Sequence, residues 1–536
     1  MPEPPRNFKV TTPAPSPQRH LEGQVVRALG SIGSATLASR VLGFVRDVVV
    51  ALVFGAGPVT DAFFVAFRIP NILRRLLAEG ALATAVIPVF TEYFINRSRE
   101  DSLRMLRAVF AAALVALSVV AVLGILAAPW ILRVIAPGFT ADDGQASLAT
   151  LLTRVMFPYL VLVGIASLAM GALNAQGRFF AAALGPAVLN IGMILAVLLL
   201  AVHLEPPILS LAVGVLAGGL GQLLVQLPSL RGAGLLVAPS GELGHPALGR
   251  VARLLLPAVF GLAAVQVMVF VNTLLASLLP AGSISFLYYA DRVMEFPLGI
   301  FGIALASASL PVMAQQGANR DIRGVAATLN FALRLALFVS VPASVGLILL
   351  RVPITRVLFE RGQFGPGDTA ATAEALGWYA LGLAGFAGSR IAAQAFYAVG
   401  QPGIAVRLGI VAVGANIVAA LILMTPLAHA GLAAAASAGA YVNLAGLVLV
   451  ARARFGRLGG HALLLSVART ALASLPVGAW CLLALWVWPS GSSRWVDASA
   501  LFVAVAGGAL FYWATSAMLG APERAALFGR AGRTVI

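Results

Sequence analysis

Lysine, cysteine and charge in general are scarce in this chain. Among 536 residues there is one lysine, Lys9, and one cysteine, Cys481, and charged side chains make up 10%. A soluble globular chain carries about 25% charged residues, so a water-soluble fold is excluded. One cysteine cannot form an internal disulfide, and Cys481 lies in an apolar run, where it reads as a packing residue. The five histidines (His20, His203, His245, His429 and His461) lie in the tail or near loops, without metal-ligand spacing. The phosphate-binding pattern G-x-x-x-x-G-K-[ST] is missing, which argues against ATP as an energy source on this chain. No Ser/His/Asp or metal constellation stands out, so the chain reads as a transporter and not an enzyme, with no cofactor. The alternating ten-residue segments of a membrane barrel are also lacking.

What fills the chain is apolar: 60% of residues are hydrophobic and the mean hydropathy is +0.96. About 20 apolar residues span a bilayer as a helix. Fourteen such stretches can be drawn, at 25–54, 61–94, 105–136, 147–173, 179–202, 208–230, 251–279, 284–314, 326–350, 370–397, 404–426, 430–450, 462–488 and 498–519. The expected class is an all-α polytopic membrane protein. The second and eighth stretches are long and contain Pro70 and Pro297, so each is expected to be kinked or broken, as helices bordering transporter sites often are.

The net charge of +16 lies mostly in loops and so points away from nucleic acid. Arginines cluster in alternate loops (Arg97 to Arg107, Arg178, Arg231 to Arg253, Arg320 and Arg323, Arg452 to Arg457). The opposite loops are nearly free of bases, with Arg351–Asp368 and Arg494 as the main exceptions. This alternation is the positive-inside signal and predicts that both termini are cytoplasmic. Residues 1–24 are expected to be a disordered tail and not a cleavable leader.

The chain also repeats itself. Phe64 to Arg68 resembles Tyr288 to Arg292, Ile87-Pro88-Val89 resembles Leu310-Pro311-Val312, Pro129 to Phe139 resembles Pro353 to Phe364, and Ala175-Gln176-Gly177 resembles Ala398-Val399-Gly400. All four pairs share an offset of about 224 residues. Six spans per repeat give both halves one orientation, related by an axis along the membrane normal. The expected organisation is an N-lobe at 25–231, a linker at 232–250, a C-lobe at 251–457, and two further helices with a C-terminal tail at 458–536.

Nearly all the intramembrane charge falls in two places. One holds Arg40, Arg46, Asp47, Asp61, Arg68, Arg74, Arg75 and Glu79; the other holds Asp291, Arg292 and Glu295. A central Arg or Asp in a membrane helix costs roughly 2.5–3.5 kcal/mol, so these groups need a protein interior or a wet cavity. Arg40 and Arg46 are six residues apart, about 9 Å along a helix, and can line one broad groove. Arg68 and Arg292 hold equivalent places in the two repeats, and Arg74 and Arg75 follow Pro70. Several guanidiniums converging from two lobes would match the oxygens of a pyrophosphate or a carboxylate-bearing head group. The bland reading is that long arginines snorkel to the interface, and that Arg74 and Arg75 pair with Glu79. Asp47, Asp61, Asp291 and Glu295 are expected to neutralise neighbouring arginines, with an ion-coupling role as the alternative for one of them. Because nearly every base is Arg, the choice of Arg over Lys at any one site is weak support for bidentate geometry.

The segments Ser39-Arg40-Val41-Leu42-Gly43-Phe44-Val45-Arg46-Asp47, Thr60 to Asn71, Leu73 to Gly80, and Tyr288 to Pro297 closely resemble the MurJ (MviN) family of bacterial lipid II flippases. The similarity runs from about Ala28 to the C-terminus. It implies the superfamily that includes MATE drug exporters and polysaccharide flippases, with fourteen helices and alternating access in the bacterial inner membrane. It also implies lipid II, the undecaprenyl-pyrophosphate-linked peptidoglycan precursor, as substrate. Membrane lipids and other cell-wall synthesis proteins are the further partners implied. Arg40, Arg46, Asp61, Arg74 and Arg292 match the family's cavity positions, and the last two helices match a groove for the lipid tail. The membrane potential or an ion gradient is the expected energy source. The sequence departs from the family pattern at Gln363, where many relatives carry Lys, and across Gly400 to Gly403. Two rivals remain: an ion-coupled exporter of drugs or other polyprenyl glycans, and a membrane scaffold that transports nothing.

Overall fold

Inside a bilayer the backbone must satisfy its own hydrogen bonds, which leaves helices and closed barrels. Among the described residues of the computed structural model, which are 37–76, 82–242, 244–488 and 493–527, there are helices and no strand. The expected tail at 1–24 and Glu79 lie outside them.

Helix α1 covers 37–54 of the described residues. Then come α2 (Pro58–Leu73), α3 (Leu82–Asn96), α4 (Arg99–Ile135), a 3₁₀ turn (Pro137–Ala141), α5 (Asp143–Met156), α6 (Tyr159–Ala175), α7 (Phe180–Ala183), α8 (Gly185–Leu200) and α9 (Leu209–Ala233). The second half holds α10 (Pro246–Ser277), α11 (Ser283–Pro297), a π turn (Leu298–Ile303), α12 (Ala304–Ala318), α13 (Ile322–Leu349), α14 (Arg351–Phe359), α15 (Pro366–Leu381), α16 (Leu383–Ala398) and α17 (Pro402–Phe455). The chain ends with α18 (Gly460–Trp486), α19 (Arg494–Met518) and α20 (Pro522–Leu527).

Within the described residues each of the fourteen expected stretches falls on one helix, one arm of a helix or a helix pair. Among the described residues, seven helical segments suffice to cross a membrane by length and composition alone. Helix α17 contains two crossings: Ala428, at φ 47° and ψ −127°, turns the chain back on itself. Gly439 then faces Asn416, and Gly446 faces Leu408. The two long stretches are broken, as their prolines suggested. A π turn at 74–76 follows α2 four residues after Pro70, and the π turn Leu298–Ile303 begins directly after Pro297. The link between α9 and α10 is 234–245, shorter than the expected 232–250, because α9 runs on to Ala233 and α10 starts at Pro246 with His245 as its cap.

The offset seen in the sequence recurs in three dimensions. Helices α6 and α16 begin 224 residues apart, at Tyr159 and Leu383, and the π turns begin 224 apart. Helix α4 corresponds to α13 and α14 together, while α8 and α9 correspond to the two arms of α17. Small residues set the close packing within each half. Gly192 lies against Gly218, and Gly214 against Met193, where a side chain on the glycine would collide; small residues let membrane helices approach in this way.

At the arginine-poor end main-chain groups of each half meet the other half. The Gln363 N–H donates to the Leu52 carbonyl at 3.0 Å, and the Gly138 N–H donates to Ser277 Oγ at 3.3 Å. A methyl group on Gly362 would overlap the Leu52 carbonyl, and one on Gly138 would overlap the Ser277 carbonyl. Gly138 and Gly362 are 224 apart, and each rests on the C-terminal turn of the opposite half's first helix. Beneath these contacts Phe63, Phe64, Tyr289, Phe359 and Phe364 are buried. Rings from the two halves touch there, with Phe64 stacked on Tyr288 at 4.0 Å between centroids. Each aromatic pair contributes about 0.5–1.5 kcal/mol beyond its buried area. This end is sealed by backbone contact over an aromatic plug.

Candidate substrate-binding cavity

Above the plug the halves separate around a cavity of about 460 Å³. On α1 its lining runs from Leu37 to Asp47; Val50 and Ala51, one turn further, are buried. The cavity therefore extends toward the arginine-rich end. Six arginines line it (Arg40, Arg46, Arg74, Arg75, Arg292 and Arg390) against two carboxylates, Asp47 and Glu295. Among the described lining residues that is an excess of four positive charges, whereas charges inside an ordinary protein core are paired.

Five of these arginines fall into two groups. Arg46 and Arg292 form a cross-linked base. Arg46 donates from Nε and an Nη to Asp47 Oδ1 (3.0 and 2.7 Å), from its other Nη to Asn190 Oδ1 (3.0 Å), and to Tyr288 Oη (2.9 Å). Tyr288 in turn donates to Asp47 Oδ1 at 3.0 Å. Arg292 places Nε 3.2 Å from Asp47 Oδ2 and donates to Glu295 (2.8 Å) and Tyr288 Oη (3.2 Å). Asp47, 1% exposed, thus ties α1 of one half to α11 of the other. A buried pair of this kind depends on such extra hydrogen bonds to offset desolvation. Asn190 also donates to the Ser39 carbonyl at 3.1 Å, which fixes α8 against α1.

Arg40, Arg75 and Arg390 form the second group. All three are exposed within the cavity and have no ion pair among the described residues. Arg40 packs against the main chain at Gly299 in the π turn, where a side chain would displace it. The break after Pro297 thus makes room for an arginine from the opposite half. Arg74 donates to Asn71 Oδ1 at 2.8 and 3.0 Å.

Three expected site residues lie elsewhere. Arg68 is not part of the cavity lining and donates to Thr273 Oγ1 on α10 at 2.5 Å. The register of α2 turns it to a different face from Asn71 and Arg74, so its repeat partner Arg292 enters the chamber and Arg68 does not. Asp61 pairs with no arginine among the described residues. Its carboxylate accepts from the N–H groups of Gly282 (2.6 Å) and Ser285 (2.8 Å) and from Ser285 Oγ (2.6 Å). It caps α11, satisfying N–H groups that a helix start leaves unpaired. Asp61 and Ser285 are themselves 224 apart, so equivalent positions of the two halves meet here. Asp291 lies behind the cavity wall, among the charges of Arg68, Arg292, Arg390 and Glu295.

The sequence reading missed Arg390, Asn190, Gln222 and Tyr288. Arg390 carried a readable signal, an arginine within the apolar stretch 370–397. The uncharged Asn190 and Gln222 carried none.

Two matched helical halves, sealed at one end around a cationic chamber open toward the other, make a polytopic membrane transporter of the fold shared with MATE exporters. The structural likeness to an inward-facing MATE family transporter has a TM-score of 0.63 at 15% identity over 79% of this chain and 96% of that one. A lipid II flippase MurJ in an inward closed conformation gives a TM-score of 0.76 at 24% identity, over 91% and 98%. Residues 50–503 match the family model described as lipid II flippase MurJ. The probable lipid II flippase MurJ of Vibrio cholerae is 38% identical over 421 residues, covering 77% of this chain and 80% of the relative. The lipid II flippase MurJ of Burkholderia cenocepacia is 37% identical over 436 residues, covering 80% and 84%. The chain belongs to the MurJ lipid II flippase family.

Proposed function

We propose that this protein moves lipid II from the inner to the outer leaflet of the bacterial cytoplasmic membrane, with the chamber arginines holding its pyrophosphate. The observation that carries this reading is the set of six arginines against two carboxylates in a cavity shared by both halves. Guanidinium forks match phosphate oxygens bidentately. An organic cation, the cargo expected of a drug exporter, would be repelled by the same charge.

The geometry supports a sequence of roles. Arg40, Arg75 and Arg390 have no ion-pair partner among the described residues and so meet the anion first. Arg46 and Arg292 are already held by Asp47 and Glu295. A pyrophosphate that reaches them competes with those carboxylates and loosens the tie between α1 and α11. The sealed end is then free to part and the opposite end to close. The polyprenyl tail stays in lipid along the outside of the bundle, so only the head group crosses. The distribution of loop arginines supports a cytoplasmic chamber mouth and cytoplasmic termini. The membrane potential would reset the empty cationic chamber, since one charge moved through 100 mV is worth about 2.3 kcal/mol.

The test is replacement of chromosomal flippase function in a depletion strain. This chain should restore growth and return lipid II to the outer leaflet. Growth without outward lipid II, or expression at normal level with lipid II still trapped inside, would overturn the proposal.

A further inference from the structure

A second cavity, of about 490 Å³, lies in the N-terminal half where the last turns of α4, the 3₁₀ turn Pro137–Ala141 and α5 meet. Arg133 and Arg154 line it together with Asp143 and Ser147. Neither arginine has an ion pair among the described residues. Arg133 lies over the Trp130 ring, 5.0 Å from its centroid, and Arg154 uses Nε to donate to the Ile125 carbonyl at 3.3 Å. Both guanidiniums therefore keep terminal N–H groups for a ligand. Two positive charges face one negative, so the lining selects an anion.

Its placement narrows the ligand further. The cavity is at the arginine-poor end, so this pair does not belong to the positive-inside excess. The positions 224 residues on are Val357 and Trp378, so the repeat does not explain the pair either. From the cavity, α4 presents an exposed apolar row, Val119, Leu123, Leu126, Trp130 and Val134, at the spacing of one helix face. Trp130 is 67% exposed with its ring against Arg133, the pattern of a residue at the membrane–water boundary. A charged pocket at that boundary above an apolar track fits an amphiphile with an anionic head.

We propose that this cavity binds the phosphodiester of an anionic phospholipid from the leaflet at the arginine-poor end, with its acyl chains along the exposed row of α4. The inference is independent of the substrate chamber. It bears on the sealed end, because the 3₁₀ turn walling the cavity also carries Gly138, whose N–H reaches Ser277 of the other half. A bound lipid braces that turn.

The test is native mass spectrometry of the full chain after exchange into phosphatidylglycerol or phosphatidylcholine. The wild type should retain one phosphatidylglycerol roughly tenfold better than phosphatidylcholine, as charge-assisted contacts would give. The Arg133→Gln/Arg154→Gln variant should lose that lipid, while Arg494→Gln, an arginine at the same end outside the cavity, should keep it. Should the double variant not fold, Ser147→Cys carrying a bulky maleimide should block the cavity with the same loss; Cys481 is buried and does not compete. Equal retention of the two lipids, or undiminished phosphatidylglycerol on the double or blocked variants, would overturn the proposal.

Discussion

The two ends of this molecule are held by opposite kinds of contact. At the sealed end, loops 55–57 and 136–142 of one half meet 277–282 and 362–364 of the other largely through backbone groups and glycines, with the Asp61 carboxylate capping α11 beside them. In the chamber, the halves meet through Asp47, Arg292 and Tyr288, all side chains. Apart from the Asp61 cap, such a seal tolerates most changes of side chain but not an added Cβ. A charged tie is sensitive to each functional group and indifferent to small changes of volume.

The largest effect should come from breaking the charged tie. Arg46→Ala or Arg292→Ala leaves Asp47 buried with a lost partner, which costs about 3–5 kcal/mol for a buried pair. Transport should fall by on the order of a hundredfold or more in a lipid II accessibility assay at equal expression. Normal transport by both variants would dissolve the distinction between the ends.

Next should come the seal. Gly138→Ala or Gly362→Ala forces a methyl group into a carbonyl of the other half. Overpacking costs about 1–3 kcal/mol, so the sealed state should lose about tenfold or more in population. Maleimide labelling of Ser283→Cys, whose native side chain is 2% exposed, should quicken accordingly. An unchanged rate would mean the glycines do not close this end.

A smaller contrast separates Arg390 from Arg68. Arg390→Ala should weaken lipid II retention about tenfold, the scale of one charged hydrogen bond, and leave the unfolding temperature alone. Arg68→Gln should do the reverse, because Arg68 bonds Thr273 outside the cavity. The smallest effect sharpens the backbone claim. Gln363→Ala should change transport by no more than about 0.5 kcal/mol equivalent, since only its N–H is used. Gln363→Pro, which removes that N–H, should impair it.

Much of the fold was readable because a membrane limits the choices. Length, apolarity and loop arginines located the crossings, and the offset between Phe64-to-Arg68 and Tyr288-to-Arg292 located the repeat. The broken second and eighth stretches followed from Pro70 and Pro297, although the actual breaks are π turns that no proline rule specifies. For the cavity, charge inside an apolar run was a sound guide to Arg40, Arg46, Asp47, Arg74, Arg75, Arg292 and Glu295. It failed for Asp61 and Arg68, because a buried charge can also cap a helix or bridge two helices, and those uses depend on what packs opposite. It was blind to Asn190, whose amide in an apolar helix costs too little to stand out yet orients Arg46. At Gln363, where the sequence departs from the family pattern, the contact with the other half belongs to the peptide N–H.

The central claim is that a phosphorylated lipid head occupies the chamber between the halves. It is tested most directly with a lipid II analogue carrying a photoreactive group on its sugar, irradiated with the purified protein and mapped by peptide mass spectrometry. Adducts should fall within 39–47, 71–75 and 292–299, and should vanish in the Arg40→Gln/Arg46→Gln/Arg292→Gln variant. Adducts confined to the outer, lipid-facing helices, and undiminished in that variant, would contradict the claim.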